Sequence, residues 1–287
     1  MTGNIDDMST PGGRAAAGWL PSGNFYTLPA GRPGGKTTPM SAKHAGKIVV
    51  ISGGASGIGQ AIVRRLALEG ARVAIADVAD CAETLRLVRE AGGEASGFRV
   101  DISSWEQVCG FADQVRARYG MALIAVHCAA LQFMSAFDEL STEQWRSTQD
   151  VNVLGGFHLT KAFLPGMKAA RWGRIVMVAS SSFFAPPPRM THYIASKGAL
   201  LGLVRGLAAE VGEFGVTVNA LAPGLTRTSN AIAGVPQAHF DDVRNRQSIK
   251  RSGEPQDQAA AISFMVSDDA AFMSGQTMLV DGGEGHV

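Results

Sequence analysis

From Lys47 onward, short and almost purely apolar runs alternate with longer stretches whose apolar residues recur at helical spacing. KIVVIS, RVAIAD, GFRV, LIAV, GRIVMVAS, GVTVNALA and TMLV are the runs. Helices are predicted from the turn after the first run through about Glu69, from Cys81 to Ala91 and from Ser104 to about Tyr119. Two more are predicted from Ser141 to about Ala170 and from His192 to about Glu213. A strand that is apolar at every position must be covered on both faces, and a helix between successive strands lets them run parallel. Right-handed crossovers then predict an α/β, doubly wound fold: a single parallel sheet of about seven strands with helices on both faces. Ligands in such a sheet bind at the carboxyl ends of the strands. The unit repeats without a break in composition, so residues 43–287 are expected to form a single domain.

The remaining composition narrows the function classes. No apolar run reaches the roughly 18 residues of a membrane span, and a formal charge of +1 gives no reason to expect nucleic acid or an anionic membrane. Cys81, Cys109 and Cys128 are an odd set without metal-like spacing, which predicts reduced thiols, no metal and a cytoplasmic location. Residues 1–42 contain PGGR, PSGN and GRPGGK and are expected to be a flexible extension. Asp6 and Asp7 stand where a secretory signal needs positive charge, and they also disfavour a mitochondrial presequence. Met40 begins a segment that would make an ordinary domain start. Whether the start lies there or the extension is dispensable, deleting residues 1–39 is expected to leave fold and activity intact.

The turn after the first strand reads Gly53-Gly54-Ala55-Ser56-Gly57-Ile58-Gly59. Glycines allow a tight turn and close backbone approach to a pyrophosphate, whose charge the following helix N-terminus favours. A glycine cluster alone is also what a bare loop looks like; strand before, helix after and an acid at the end of the second strand raise it above that. The acid is Asp77, 18 residues beyond Gly59. It either hydrogen-bonds an adenosine ribose diol or merely ends a strand or caps a turn. In the first case it repels a 2′-phosphate, and no basic residue inside the turn attracts one, which points to NAD rather than NADP. Asp101, at the end of the third strand, would bind the adenine amine or cap the next helix.

Tyr193 and Lys197 stand at i and i+4, on one face of a predicted helix. A free tyrosine titrates near 10, and an adjacent ammonium is expected to stabilise the phenolate and lower that value. The bland reading is an exposed helix face.

Taken together, residues 45 to 283 resemble the short-chain dehydrogenase/reductase family, which carries Thr-Gly-x-x-x-Gly-x-Gly, Asn-Asn-Ala-Gly, a helical Asn, a Ser and Tyr-x-x-x-Lys. Ser52 stands for the threonine, followed by Gly53, Gly57 and Gly59; the helical Asn matches Asn152 in VNVLGGF; the serine matches Ser180, 13 residues before Tyr193. VNALAPGLTRT and SGQTMLVDGG agree as well. The resemblance implies a Rossmann fold and hydride transfer between a nicotinamide cofactor and a small-molecule alcohol or ketone. It implies that Tyr193 exchanges the proton and that Ser180 hydrogen-bonds the same substrate oxygen, with Ser181 and Ser182 as close alternatives. Lys197 would bind the nicotinamide ribose, and Asn152 would hold a water linking the lysine to solvent. Along the cofactor the resemblance places Ser56, Ile58, Ile102, Ala129, Pro223, Gly224, Thr226 and Thr228. It also implies a homotetramer or dimer built on the helices at 141–170 and 192–213.

One segment departs from the family: His127-Cys128-Ala129-Ala130 replaces Asn-Asn-Ala-Gly, which reads as a structural substitution. Substrate identity must come from the loops holding Leu131, Gln132 and Phe133, then Ser182 to His192, then Leu225 to Ile232. They are apolar and aromatic, which suits an aromatic or apolar secondary alcohol. Phe183 and Phe184 either line that pocket or pack the loop. The run SSSFFAPPPRMTHYIASK is similar to family members acting on aryl-alkyl alcohols and on pyridoxal. Two further readings are an NADPH-dependent carbonyl reductase of the same family and a non-catalytic dinucleotide-binding protein.

Overall fold

A computed structural model describes residues 42–285. The expectations for the extension and for a start at Met40 fall on residues outside those described.

Seven parallel strands form one sheet in the order β3-β2-β1-β4-β5-β6-β7. They are β1 (Ile48–Ser52), β2 (Arg72–Asp77), β3 (Glu94–Arg99), β4 (Ile124–His127), β5 (Gly173–Val178), β6 (Val216–Pro223) and β7 (Thr277–Val280). β1, β4, β5 and β6 are buried at every position, as their unbroken apolar runs require. Covering a side chain such as Ile51 or Val218 contributes about 1.5–3 kcal/mol. Two apolar clusters, one on each face of the sheet, hold the helices down.

The helices are α1 (Gly57–Leu68), α2 (Ala82–Glu90), α3 (Trp105–Tyr119), α4 (Thr142–Gln149), α5 (Gly155–Ala170), α6 (Thr191–Val211), α7 (Ser229–Gly234), α8 (Gln237–Arg246) and α9 (Pro255–Met265). Two predicted elements differ from those observed. β3 begins at Glu94 and ends at Arg99, not at Gly97 to Val100. It is the sheet edge, half uncovered, so it accepts Glu94 and Ser96 and lacks the apolar run that marks the inner strands. The helix predicted from Ser141 to Ala170 is interrupted by a π-helical turn, Asp150–Leu154. Ser141 and Gln144 close a capping box at its start, as their spacing allows.

Strand order reverses between β1 and β4, which opens a crevice at their carboxyl ends. There Ser52 and His127 lie in register, so the glycine turn and the segment after β4 face each other across it.

Candidate active site

The glycine turn is closed by contacts that leave no room for side chains. Gly53 and Gly57 take left-handed φ values of 75° and 57°. A Cβ on Gly59 would sit 1.8 Å from the Gly53 carbonyl oxygen, and one on Gly53 would sit 2.5 Å from the Ala129 nitrogen. α1 therefore starts hard against the strand ends. Its N-cap, Ser56, makes no side-chain cap bond and its first turn holds no acid, so the positive end of the helix stands open for an anion. Ile58 packs into the apolar cluster on that face.

At the end of β2, Asp77 Oδ2 accepts from the Ala55 N–H at 2.9 Å and Oδ1 from the Ala79 N–H at 3.0 Å. The carboxylate thus braces the glycine turn, and each oxygen keeps acceptor capacity for a hydroxyl. The carboxylate braces the turn and still has room for the ribose-binding reading. A glycine cradle, an open helix N-terminus and a carboxylate beside it fit a dinucleotide.

Asp101 does not cap α3, as one reading had it. Ser104 does, accepting from the Gln107 N–H at 3.3 Å, while Asp101 Oδ1 closes its own turn with the Ser103 N–H and hydroxyl. Ile102 is buried, touches the first turn of α5 beside Gly155, and its carbonyl lies 3.2 Å from His158 Nδ1. At the other side of the crevice, Pro223 ends β6, and Gly224 passes so close to Asp281 that a Cβ would lie 2.7 Å from it. The Thr226 hydroxyl donates back to the Gly224 carbonyl at 2.9 Å. Thr228 caps α7 through the Ala231 N–H at 3.1 Å and lays its methyl against Gly57, so this loop meets the glycine turn directly.

Tyr193 and Lys197 are both buried on α6, not on an exposed helix face. The Ser180 hydroxyl faces the Tyr193 phenol and accepts from the Ser182 N–H at 3.2 Å. Ser181 and Ser182 lie in the 3-10 turn that Ser180 caps, so Ser180 is the serine that reaches Tyr193. Lys197 Nζ donates to the Val178 carbonyl at 2.8 Å and stands 5.3 Å from the centre of the tyrosine ring. Asn152 sits in the π turn, its carboxamide oxygen accepting from the Leu131 N–H at 2.7 Å and its nitrogen donating to Ser196 at 2.9 Å and to the Leu131 carbonyl at 3.1 Å.

Burial works against the downward shift expected of the ammonium. Burial pushes Tyr193 up to about 12, partly offset by the Ser180 hydroxyl beside it. The same burial pushes Lys197 down to about 8. Desolvation of the phenolate outweighs any help from the ammonium. At neutral pH the pair is a neutral phenol beside a charged amine.

Around this centre two loops at the carboxyl edge are joined. The Ser135 N–H donates to the Arg189 carbonyl at 2.9 Å, tying the loop after β4 to the loop after β5. His192 stacks on Phe133 with ring centres 4.2 Å apart, and burial lowers its pKa. Phe184 packs into the core, and Phe183 lies against α6 where a Cβ on Gly198 would meet its ring at 2.6 Å. Both aromatics thus pack the loop, with Phe183 left partly exposed. Leu131, Met134, Phe137 and Ile232 are exposed apolar side chains of the loops after β4 and β6. Sequence reasoning passed over Ser196, visible in YIASK but unread, and read His127 only as a structural substitution, because its partners appear only in the fold.

Known proteins are similar to this one along most of the chain. The profile of a family described as "Enoyl-(Acyl carrier protein) reductase" matches residues 53–284. A 3-oxoacyl-[acyl-carrier-protein] reductase of Pseudomonas aeruginosa is 34% identical over 240 residues, covering 83% of this chain and 97% of that protein. A 2,5-dichloro-2,5-cyclohexadiene-1,4-diol dehydrogenase of Sphingobium indicum is 36% identical over 243 residues, with the same coverage of 83% and 97%. The crystal structure of a 3-oxoacyl-[acyl-carrier protein] reductase from Brucella melitensis superposes with a TM-score of 0.80 at 31% identity, over 85% of this chain and 93% of that one. With the profile, the relatives and the sheet order in agreement, the chain belongs to the short-chain dehydrogenase/reductase family of oxidoreductases.

Proposed function

We propose that the protein is an NAD-dependent alcohol dehydrogenase or carbonyl reductase acting on an apolar or aromatic secondary alcohol and its ketone. The observation that carries this reading is the buried Tyr193–Lys197 pair with Ser180 facing the phenol, within the crevice that the glycine turn and Asp77 border. The glycine turn, Asp77, Pro223, Gly224, Thr226 and Thr228 would hold the dinucleotide, which would supply or take the hydride. Tyr193 donates its phenolic proton to the ketone oxygen in reduction, and Ser180 donates a hydrogen bond to the same oxygen as charge builds there. In oxidation Tyr193 must give up that proton first, and a pKa near 12 makes this the harder direction unless positive charge is added beside it. Lys197 is fixed by Val178 with two of its three N–H groups left for a ribose.

The exposed apolar rim at Leu131, Met134, Phe137 and Ile232 supports an apolar substrate, and a relative named for a chlorinated cyclohexadienediol fits it. Exposed Leu154 and Phe157, on the turn and helix that follow α4, support assembly as a dimer or tetramer. Among the described residues no helix is long and apolar enough to cross a membrane. Free Cys81, Cys109 and Cys128 support work in the cytoplasm.

One observation favours NADP instead: Arg99 on β3 is in register with Asp77 and exposed at the same edge. Titrating NADH and NADPH by intrinsic fluorescence decides between them. The expected result is tighter NADH binding, reversed in D77S, where the carboxylate no longer repels a 2′-phosphate and Arg99 attracts it. Tighter NADPH binding by the unaltered protein overturns the NAD assignment.

A further inference from the structure

Ser52, His127, Asn152 and Ser196 come from β1, β4, the π turn and α6, and all four are fully buried. They are joined end to end. His127 Nε2 lies 3.0 Å from the Asn152 carbonyl oxygen, and Nδ1 lies 2.8 Å from Ser52 Oγ. A carbonyl only accepts, so Nε2 carries the proton. Burial holds the imidazole neutral, with its pKa pushed down to about 3, and Nδ1 therefore accepts the Ser52 hydroxyl proton. Ser52 Oγ in turn accepts from the N–H groups of Cys128 at 3.3 Å and Ala129 at 3.4 Å, beside the glycine turn. At the far end Asn152 donates to Ser196, whose hydroxyl donates to the Tyr193 carbonyl at 2.7 Å.

Every donor in this chain thus points the same way, from the strand end beneath the cofactor turn to the backbone of Tyr193. The imidazole is seated by shape as well. Gly155 and Gly156 present no side chains to it, and a Cβ on either would come within 3.3 Å and 3.0 Å of the ring. The π turn bulges where the ring meets the Asn152 carbonyl.

We propose that His127 is a positioning residue: by locking the π turn at Asn152 it fixes the Tyr193–Lys197 face of α6 relative to the glycine turn. Its effect on catalysis rests on the reading of Tyr193 as the proton donor; its tautomer and its coupling do not. Gln at position 127 can donate to Asn152 and accept from Ser52 at once, whereas Phe fills the slot and does neither.

Turnover and dinucleotide binding in H127Q and H127F test this. H127F is expected to lose about 10- to 100-fold in kcat, the effect of a small misplacement of a reacting group, with dinucleotide affinity nearly unchanged. H127Q is expected to restore most of that loss. S52A and S196A, at opposite ends of the chain, should be non-additive in the unaltered protein and additive in the H127F background. In 15N-histidine spectra, with His127 assigned from H127Q, the ring should remain in the Nε2–H form between about pH 5 and 8. Wild-type kcat in H127F, additivity of S52A and S196A, or an Nδ1–H or titrating imidazole would each overturn the proposal. If H127F does not fold, the spectra and the S52A–S196A pair decide. Turnover surviving in Y193F would overturn the function and leave the His127 spectra as they are, so the two failures can be told apart.

Discussion

At the glycine turn a single added methyl has nowhere to go, because a Cβ on Gly59 falls 1.8 Å from the Gly53 carbonyl oxygen. Around Tyr193 the restraint is of another kind: Ser52, His127, Asn152, Ser196 and Lys197 are buried polar groups held by one another and by backbone carbonyls. The first region is shaped by what is missing from its residues, the second by what its side chains donate and accept. Added volume should therefore damage the cofactor end, and lost hydrogen bonds at constant volume should damage the catalytic end. A buried donor or acceptor left without a partner costs about 1–3 kcal/mol, whereas the same exchange on a solvated surface is nearly neutral.

The largest effect expected is at the catalytic end. Y193F keeps the ring and removes the hydroxyl that faces Ser180. Turnover should fall roughly 10²- to 10⁴-fold, the range of a general acid, while dinucleotide titration stays nearly unchanged. Residual turnover close to the unaltered enzyme would place the proton donor elsewhere.

Next comes G59A, the reverse case. Its methyl must drive the glycine turn and α1 apart, so dinucleotide affinity should fall by about 100-fold or more, some 2.7 kcal/mol, in a titration of protein whose circular dichroism is unaltered. Unaltered affinity would mean that the turn has slack, and the contrast between the two regions would fail at its sharper end.

The contrast also explains what could be read from the residues alone. Inner strands such as β1 and β5 announce themselves because a fully buried strand must be apolar throughout. Gly53, Gly57, Gly59 and Asp77 were legible because close approach demands glycine in sequence, at short range. Tyr193, Lys197 and Ser180 were legible as a spacing, and the spacing does place them together. What the spacing could not supply was the sign of the tyrosine shift, which depends on how deeply the fold buries the phenol. The π turn was hidden for a similar reason. It arises where His127 and Leu131, more than twenty residues upstream, meet Asn152, and no local pattern in VNVLGGF encodes that. His127 itself looked like a substituted residue in a strand end because its two partners lie 75 and 25 residues away.

The smallest effect is on stability and depends on pH. The glycine turn has no titrating group of its own, whereas the catalytic side encloses an imidazole whose pKa is pushed down to about 3 from an ordinary 6.5, first by burial and then by the charge of Lys197. Between those two values the unfolded chain takes up a proton that the folded protein refuses, so stability falls as pH falls below 6.5 and the loss continues toward 3. Well inside that window one such group weakens the fold by about 1.4 kcal/mol per pH unit. For a domain of this size that is a melting temperature lower by about 3–5 °C per unit. H127Q has nothing to protonate there, so its melting temperature should decline less steeply by about that amount. His44 and His192 are shifted in the same direction and stay in both proteins, so the difference between the two slopes belongs to His127. Equal slopes would mean that the imidazole charges inside the folded protein. The Asn152 carbonyl would then be held by a cation that needs no Ser52 proton, and the one-way chain from the glycine turn to Tyr193 would be broken in the middle.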